Sequence, residues 1–164
     1  MIYGYTAWKH RGFETMKKNL FVLTLVLGAS YHASAETFEG CPTRGEIKMA
    51  GSVYAATASN NEGIWLGIAK GPDEGDIKEF TSATFYPAQL NNGRASQSAV
   101  VKCSYELSKG GCVNLQYIPR SPLPALDLRD ASKWRRKKWP YNPDYYECID
   151  PAAWRCRFVL VRPS

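Results

Sequence analysis

Five cysteines downstream of a secretory-type segment constrain the fold more than any other feature of this sequence. Residues 16–35 (MKKNLFVLTLVLGASYHASA) have two lysines directly after Met16, continue through an apolar stretch and end in small residues at Ala33-Ser34-Ala35. This is the layout of a signal peptide that is cleaved before Glu36. In an oxidising compartment, disulfides are the default state of cysteines. The sequence therefore predicts a single disulfide-stabilised domain over residues 36–164, with a periplasmic or secreted location.

The segment before the cleavage position does not resemble folded structure. Residues 1–15 have no periodic apolar pattern and precede a complete signal sequence that begins at Met16. We interpret residues 1–35 as an upstream extension plus signal peptide, with either Met1 or Met16 as the start. The apolar stretch is shorter than the roughly 20 residues that span a bilayer, and no later segment approaches that length. We therefore expect no transmembrane segment in the mature chain.

The histidine content restricts the chemistry of the predicted domain. His10 and His32 both precede residue 36, so residues 36–164 contain no histidine. This excludes Ser-His-Asp and Cys-His nucleophile activation, imidazole acid–base chemistry and His-containing metal sites within the domain. The cysteines lack C-x-x-C spacing, which disfavours a structural zinc site. We predict a non-enzymatic protein without metal or cofactor, and a carboxylate-based hydrolase is the third alternative for its function.

Short β-prone runs separated by turn signals indicate a mainly β fold. We expect an antiparallel small barrel or sandwich. Residues 64–68 (IWLGI) are apolar throughout and predict a strand that is buried on both faces. Residues 127–138 have acidic residues early, basic residues late and a proline at 140, and they predict one short C-terminal helix. An α+β fold is the alternative. The predicted strands cover residues 46–50, 53–57, 64–68, 77–86, 100–107, 113–118 and 157–161.

A predicted hairpin fixes the orientation of two cysteines. A three-residue loop, Ser108-Lys109-Gly110, places glycine at the left-handed position of a bulged turn and sets Cys103 opposite Leu115. In this register Cys103 faces the core and Cys112 faces away, so these two cysteines cannot bridge. We predict that Cys103 pairs with Cys41, and that Cys148 pairs with Cys156 across a short loop. Cys112 then remains as a free or intermolecular thiol.

Positive charge is concentrated in one segment. Residues 36–164 carry 17 basic and 14 acidic residues, a net charge of +3, whereas residues 120–139 alone carry +5. Basic residues interleaved with tryptophan suit phosphate-bearing surfaces, because cations neutralise phosphate while indoles settle at an apolar–polar boundary. The alternative is a solvated helix face that its tryptophans anchor to the sheet. The predicted contact residues, which we call the basic-aromatic patch, are Lys133, Trp134, Arg135, Arg136, Lys137, Lys138, Trp139 and Tyr141.

The compartment decides which partners suit such a patch. In a periplasm, phosphate-bearing surfaces are anionic lipid headgroups or lipopolysaccharide, and nucleic acid is not expected. An acidic envelope protein fits the patch equally well. Our leading prediction is a non-enzymatic domain that contacts an envelope macromolecule through the patch. The alternative is an inhibitor or immunity-type protein, in which a rigid loop held by Cys148 and Cys156 binds one protein partner.

Several short motifs carry a resemblance to a family. In order, they are Cys41-Pro42 with Glu46-Ile47-Lys48, the run from Phe80 to Tyr86, Cys103-Ser104-Tyr105, and Tyr145-Tyr146-Glu147-Cys148 followed by Cys156. This order resembles a family of small secreted disulfide-bonded bacterial proteins, a domain of unknown function of the Legionella and Pseudomonas type. The resemblance spans most of residues 40–160. It implies an envelope or secreted location and a disulfide-bonded domain, but no activity.

Two features depart from that family's general pattern, namely Cys112 and the basic run 133–138. Any role for them is therefore particular to this chain. There is also a fainter similarity to periplasmic lysozyme inhibitors, which are small β-rich domains with few cysteines. No inhibitory loop motif accompanies it.

Overall fold

The computed structural model describes residues 36–69, 75–91, 94–120, 125–128, 131–139 and 142–161. Within these ranges, the regular elements are β-strands and two short 3-10 turns, Ala131–Lys133 and Ala153–Arg155. The strands are β1 (Thr37–Glu39), β2 (Lys48–Ala50), β3 (Val53–Thr57), β4 (Gly63–Ile68), β5 (Ile77–Tyr86), β6 (Gln89–Asn91), β7 (Arg94–Gln97), β8 (Val100–Leu107), β9 (Cys112–Pro119), β10 (Ala125–Asp127), β11 (Arg135–Trp139), β12 (Asn142–Cys148) and β13 (Phe158–Val161).

The strands form an eight-stranded sheet, a three-stranded sheet and a two-stranded ribbon. Strand order in the large sheet is β11-β12-β5-β8-β9-β4-β3-β2, and in the small sheet β1-β13-β10. All pairings are antiparallel. The predicted mainly β class is confirmed. The described strands do not close into a barrel, because β11 and β2 remain as the two edges of the large sheet.

The core lies between one face of the large sheet and the small sheet. Phe158 of β13 packs edge-on against Trp65 of β4 and Tyr117 of β9, with ring centroids 6.0 and 5.1 Å apart. Strands of the large sheet alternate buried and accessible residues, as in β9, where every second side chain from Val113 is buried. Only one face of that sheet is therefore covered by the described residues. We call the opposite side the open face.

The central hairpin has the predicted register. Cys103 lies opposite Leu115, and Gly110 has a positive φ of 94° in the turn. Because of this register Cys103 is buried in the core, whereas Cys112 is exposed. The Tyr105 hydroxyl points into the core and donates a hydrogen bond to the Pro42 carbonyl oxygen at 2.6 Å. Burial raises the pKa of this phenol well above its usual range.

The prediction of a C-terminal helix over residues 127–138 is wrong. The described part of this segment contains the end of β10, the 3-10 turn Ala131–Lys133 and strand β11. β11 pairs antiparallel with β12, which brings acidic side chains beside its basic ones. The pairing with β12 gives the basic side chains cross-strand acidic partners. The early acidic and late basic residues of 127–138 favour a helix only through a weaker local preference. The α+β alternative is likewise unsupported in the described ranges.

Strand β4 also differs from expectation. Residues 64–68 predict burial on both faces, but only Trp65 and Gly67 face the core, and Ile64 and Ile68 are exposed. The small sheet covers one side of β4, and no described element covers the other. Ile68 retains 63% of its accessible surface. An apolar face thus remains open to solvent.

The predicted extension and signal peptide over residues 1–35 lie outside the described residues. Among the residues that the structure describes, no helix combines the length and apolar character needed to cross a membrane.

Candidate functional site

The basic-aromatic patch lies on an edge of the large sheet. Arg135, Arg136, Lys137 and Lys138 all belong to β11, the terminal strand beside β12. Charged residues on an edge strand also discourage pairing with other chains. Trp139 ends the strand, and Tyr141 lies outside the described residues.

Carboxylates from β12 and the following loop neutralise much of the patch. Arg136 forms an ion pair with Asp144, and the Lys137 Nζ lies 3.2 Å from the Glu147 carboxylate. These acidic residues fall outside the window 120–139 whose charge the sequence emphasised. A segment count therefore overstates the positive charge at this edge.

Lys133 takes part in a further ion pair, with Asp150. The Lys133 Nζ lies 3.1 Å from the Asp150 carboxylate. The same carboxylate accepts a hydrogen bond from the Ala152 backbone N–H at 3.0 Å. This backbone bond, together with Lys133 and Arg155, holds the pKa of Asp150 below its usual value. Lys133 is thus tied to the loop between Cys148 and Cys156.

Arg135 and Lys138 differ from the other cations of the patch. Both side chains are exposed, and neither has an ion-pair partner among the described residues. Successive strand residues point to opposite faces, so the four basic residues of β11 flank the edge and do not form one surface. Within the described part of the patch, these two side chains supply the charge that no ion pair compensates.

Trp134 belongs to the core and not to a contact surface. Its side chain is 6% exposed, and the indole N–H donates a hydrogen bond to the Arg157 carbonyl oxygen at 3.0 Å. The ring packs edge-on against Phe85 of β5, with centroids 6.3 Å apart. Trp134 therefore anchors the beginning of β11 to the body of the domain. This agrees with the alternative interpretation of the segment, in which its tryptophans anchor a solvated surface to the sheet.

The disulfides have the predicted pairing. Cys41 is bonded to Cys103, with Cα atoms 5.8 Å apart, and Cys148 to Cys156, with Cα atoms 5.7 Å apart. The first bond attaches the segment after β1 to the centre of the large sheet. The second closes the loop that contains the 3-10 turn Ala153–Arg155. Two disulfides indicate an oxidising, extracytoplasmic location.

The loop closed by Cys148 and Cys156 exposes large apolar side chains. Ile149 and Trp154 are 55% and 54% exposed. The Arg155 guanidinium lies over the Trp154 ring, 5.2 Å from its centroid. Sequence reasoning identified the loop but not these exposed side chains.

A cleft of about 470 Å³ lies beside Trp154 and is lined also by β1 and the segment that follows it. Glu39 lies in its wall and is only 3% exposed. Its carboxylate accepts hydrogen bonds from Ser59 Oγ at 2.8 Å, Trp65 Nε1 at 3.1 Å and the Asn60 backbone N–H at 3.2 Å. These donors satisfy the hydrogen-bonding capacity of the buried carboxyl oxygens. Glu39 therefore fixes β1 to the turn between β3 and β4, a role for which the sequence carries no distinct signal.

No cluster of three or more potential metal ligands occurs within the described ranges. Glu106 has its pKa lowered by a hydrogen bond and ion pair with Lys78, whose Nζ lies 3.1 Å from its carboxylate. A lowered pKa favours a carboxylate at neutral pH, which is the opposite of what a general acid requires.

The family comparison covers most of the domain. A family described as a protein of unknown function, DUF3757, matches residues 35–159. The chain belongs to this family. The match includes all five cysteines and both strands of the β11–β12 hairpin. No curated protein and no solved structure matches the chain. DUF3757 membership thus supports the expected resemblance to an uncharacterised family and supplies no activity.

Proposed function

We propose that this protein is a periplasmic or secreted, non-enzymatic domain that binds an anionic macromolecule of the bacterial envelope through β11. The observation that carries the proposal is the pair of exposed cations, Arg135 and Lys138, without carboxylate partners among the described residues. We also propose that the protein comes from a bacterium of the Legionella and Pseudomonas type, as the family resemblance implies. The main contact lies with Arg135 and Lys138, which flank the sheet edge on opposite faces, so the ligand contacts this edge strand from both sides. Arg136 and Lys137 contribute less to the contact.

The physical basis of the proposal is that the paired and the unpaired cations of β11 differ in whether a carboxylate competes with the ligand. An anionic ligand competes with Asp144 for Arg136 and with Glu147 for Lys137. Among the residues that the structure describes, no carboxylate pairs with Arg135 or Lys138 and competes in this way. Electrostatic complementarity of this kind mainly steers association and selects partners. The interaction is therefore expected to weaken as salt screens the exposed charges.

A charge-reversal experiment tests this proposal. The purified, oxidised protein is mixed with the envelope fraction of its source after the phospholipids have been extracted, so that only envelope macromolecules remain, and bound protein is measured after sedimentation. This phospholipid-free preparation is the envelope fraction in every experiment below. We expect Arg135→Glu with Lys138→Glu to lower binding at least tenfold. The matched control is Arg44→Glu with Lys109→Glu, which makes the same charge change at two exposed positions away from β11. Equal losses in both double variants would contradict the proposal, as would unchanged binding in the β11 variant.

A second candidate function is favoured by the exposed loop between Cys148 and Cys156. Rigid loops that present an aromatic anchor are typical of protein-binding surfaces, and Trp154 has this exposure beside the 470 Å³ cleft. An inhibitor or immunity-type protein would bind one partner stoichiometrically through this loop. Trp154→Ala would then abolish capture of that partner, whereas the β11 double variant would retain it. A carboxylate-based hydrolase remains the third alternative.

A further inference from the structure

We infer that the open face of β3, β4 and β9 docks onto an anionic phospholipid bilayer. Apolar side chains from these neighbouring strands share this face, and several are exposed. Ile64 lies opposite Ile118, and Val53 lies opposite Ile68 in the register of the sheet. The remaining members are Ala55 and Leu66. We call this group the isoleucine face.

The packing of β4 supports a partner for this face. Its sequence is apolar on both sides, yet the small sheet covers only the side of Trp65. Large contiguous apolar patches are rare on monomeric soluble proteins, and they mark sites that contact proteins, ligands or membranes. Ile68, at 63%, is the most exposed of the large apolar residues described. Two shallow depressions of about 410 and 440 Å³ flank β4 on this face.

The charges around the isoleucine face determine the kind of partner. Lys102, Gln116, Leu66, Ala55 and Lys48 form one continuous cross-strand row through β8, β9, β4, β3 and β2. Strands are spaced by about 4.8 Å, so the two lysines flank the apolar centre at about 19 Å from each other. Neither lysine has a carboxylate partner among the described side chains. Lys102 Nζ instead lies over the Tyr86 ring, 5.6 Å from its centroid.

Acidic residues near this face are already engaged. Glu106, which lies opposite Cys112 at one end of β9, is paired with Lys78 at 3.1 Å. Glu46 lines one of the depressions, and its carboxylate accepts hydrogen bonds from the Thr43 backbone N–H and hydroxyl at 2.6 and 2.7 Å. The hydrogen bonds to Glu46 come from neutral groups and cancel no charge, so Glu46 remains an acidic residue beside Lys48. Among the described residues, Lys48 and Lys102 are the cations of this face without an ion-pair partner.

A bilayer satisfies this arrangement better than a second copy of the chain. Lys48 and Lys102 occupy the same cross-strand row at equal distances from β4. In a face-to-face dimer, a two-fold axis that runs along β4 places Lys48 of one copy opposite Lys102 of the other. An axis that runs along the row places each lysine opposite its own equivalent. Such like-charge contacts oppose association. An anionic bilayer instead offers phosphates to both lysines and an apolar boundary to the isoleucines.

Vesicle binding tests this inference. The purified protein is titrated with equimolar phosphatidylglycerol and phosphatidylcholine vesicles, and with vesicles of phosphatidylcholine alone. We expect binding to the anionic vesicles and little to the neutral ones. Ile68→Asp should lower the partition coefficient more than tenfold, since it removes apolar contact and adds a repelled charge. Lys48→Gln and Lys102→Gln should each lower it about fivefold.

The matched control is Ile149→Asp, which changes an isoleucine of similar exposure, 55%, on the disulfide loop. It should bind vesicles like the wild type. Thermal denaturation of both aspartate variants verifies that they remain folded. Equal binding by the two variants, or absence of wild-type binding to anionic vesicles, would overturn the inference. Conversion of a dimer to a monomer by Ile68→Asp in sedimentation would also overturn it, because the occupant would then be a second copy.

This inference can fail independently of the proposed function. Arg135 lies five strands from β4, about 24 Å at ordinary strand spacing. This exceeds the Debye length of about 10 Å at 0.1 M salt. The variant Arg135→Glu with Lys138→Glu should therefore retain most of its vesicle binding at that salt concentration while it loses binding to the envelope fraction.

Discussion

Trp134 donates its indole N–H to the Arg157 carbonyl oxygen at 3.0 Å, and this bond attaches the beginning of β11 to the segment that enters β13. A residue expected at a binding surface thus forms part of the packing that positions that surface. The basic residues after it can be exposed at a sheet edge because Trp134 holds the start of the strand in place.

Trp134→Ala is therefore expected to destabilise the protein. The variant loses a buried aromatic side chain and its hydrogen bond, for which about 3–5 kcal/mol is typical. Trp154→Ala provides the control, because its side chain is 54% exposed and its removal should cost less than about 1 kcal/mol. Urea denaturation measures both free energies of unfolding. Similar losses in the two variants would contradict the placement of Trp134 in the core.

The two disulfides are expected to contribute unequally to stability. Cys41 and Cys103 are 62 residues apart, whereas Cys148 and Cys156 are 8 apart. Loop-closure entropy predicts losses of about 4 and about 2.5 kcal/mol when the respective pair is replaced by alanine. Urea denaturation of the two double variants gives these values. A larger loss from the Cys148 and Cys156 replacement would show that loop entropy does not set the order.

The stabilisation provided by Asp150 is expected to depend on pH. Its pKa is lower in the folded protein than in the unfolded chain, so its ionised form stabilises the fold above pH about 4. This contribution disappears as the pH falls through the lowered folded value. Asp150→Asn should thus be less stable than the wild type at pH 7, and the two should converge near pH 2. Urea midpoints at both pH values measure this, and a constant difference would refute it.

The ion pair between Arg136 and Asp144 is expected to add little stability. Arg136 is exposed on an edge strand, and exposed pairs typically contribute less than about 1 kcal/mol. A double-mutant cycle with Arg136→Ala and Asp144→Ala isolates the coupling free energy. A coupling well above that value would mean that the pair organises the β11–β12 hairpin.

Local signals were sufficient to predict the hairpin, the opposite orientations of Cys103 and Cys112, and the pairing of Cys148 with Cys156. The glycine at position 110 fixes the turn, and the turn fixes the register that buries Cys103 and exposes Cys112. Both consequences follow from residues close together in sequence. The pairing of Cys148 with Cys156 depends on similarly short range.

The β11 segment could not be predicted in the same way. Arginine and lysine favour helices intrinsically, and the strand exists because β12 pairs with it. The acidic partners are Asp144, Glu147 and Asp150. They follow residue 139, so the net charge of residues 120–139 does not include them. The open face of β4 was missed for a related reason, because periodicity cannot tell which side of a strand another sheet covers.

The most direct test of the proposed function is the salt dependence of binding to the envelope fraction. Apparent affinity is measured for the wild type and for Arg135→Glu with Lys138→Glu over a series of NaCl concentrations. The account predicts that wild-type affinity falls steeply with salt, because exposed charges are screened, and that the variant binds weakly with little salt dependence. Identical salt dependence in the two proteins would contradict the claim that β11 carries the contact.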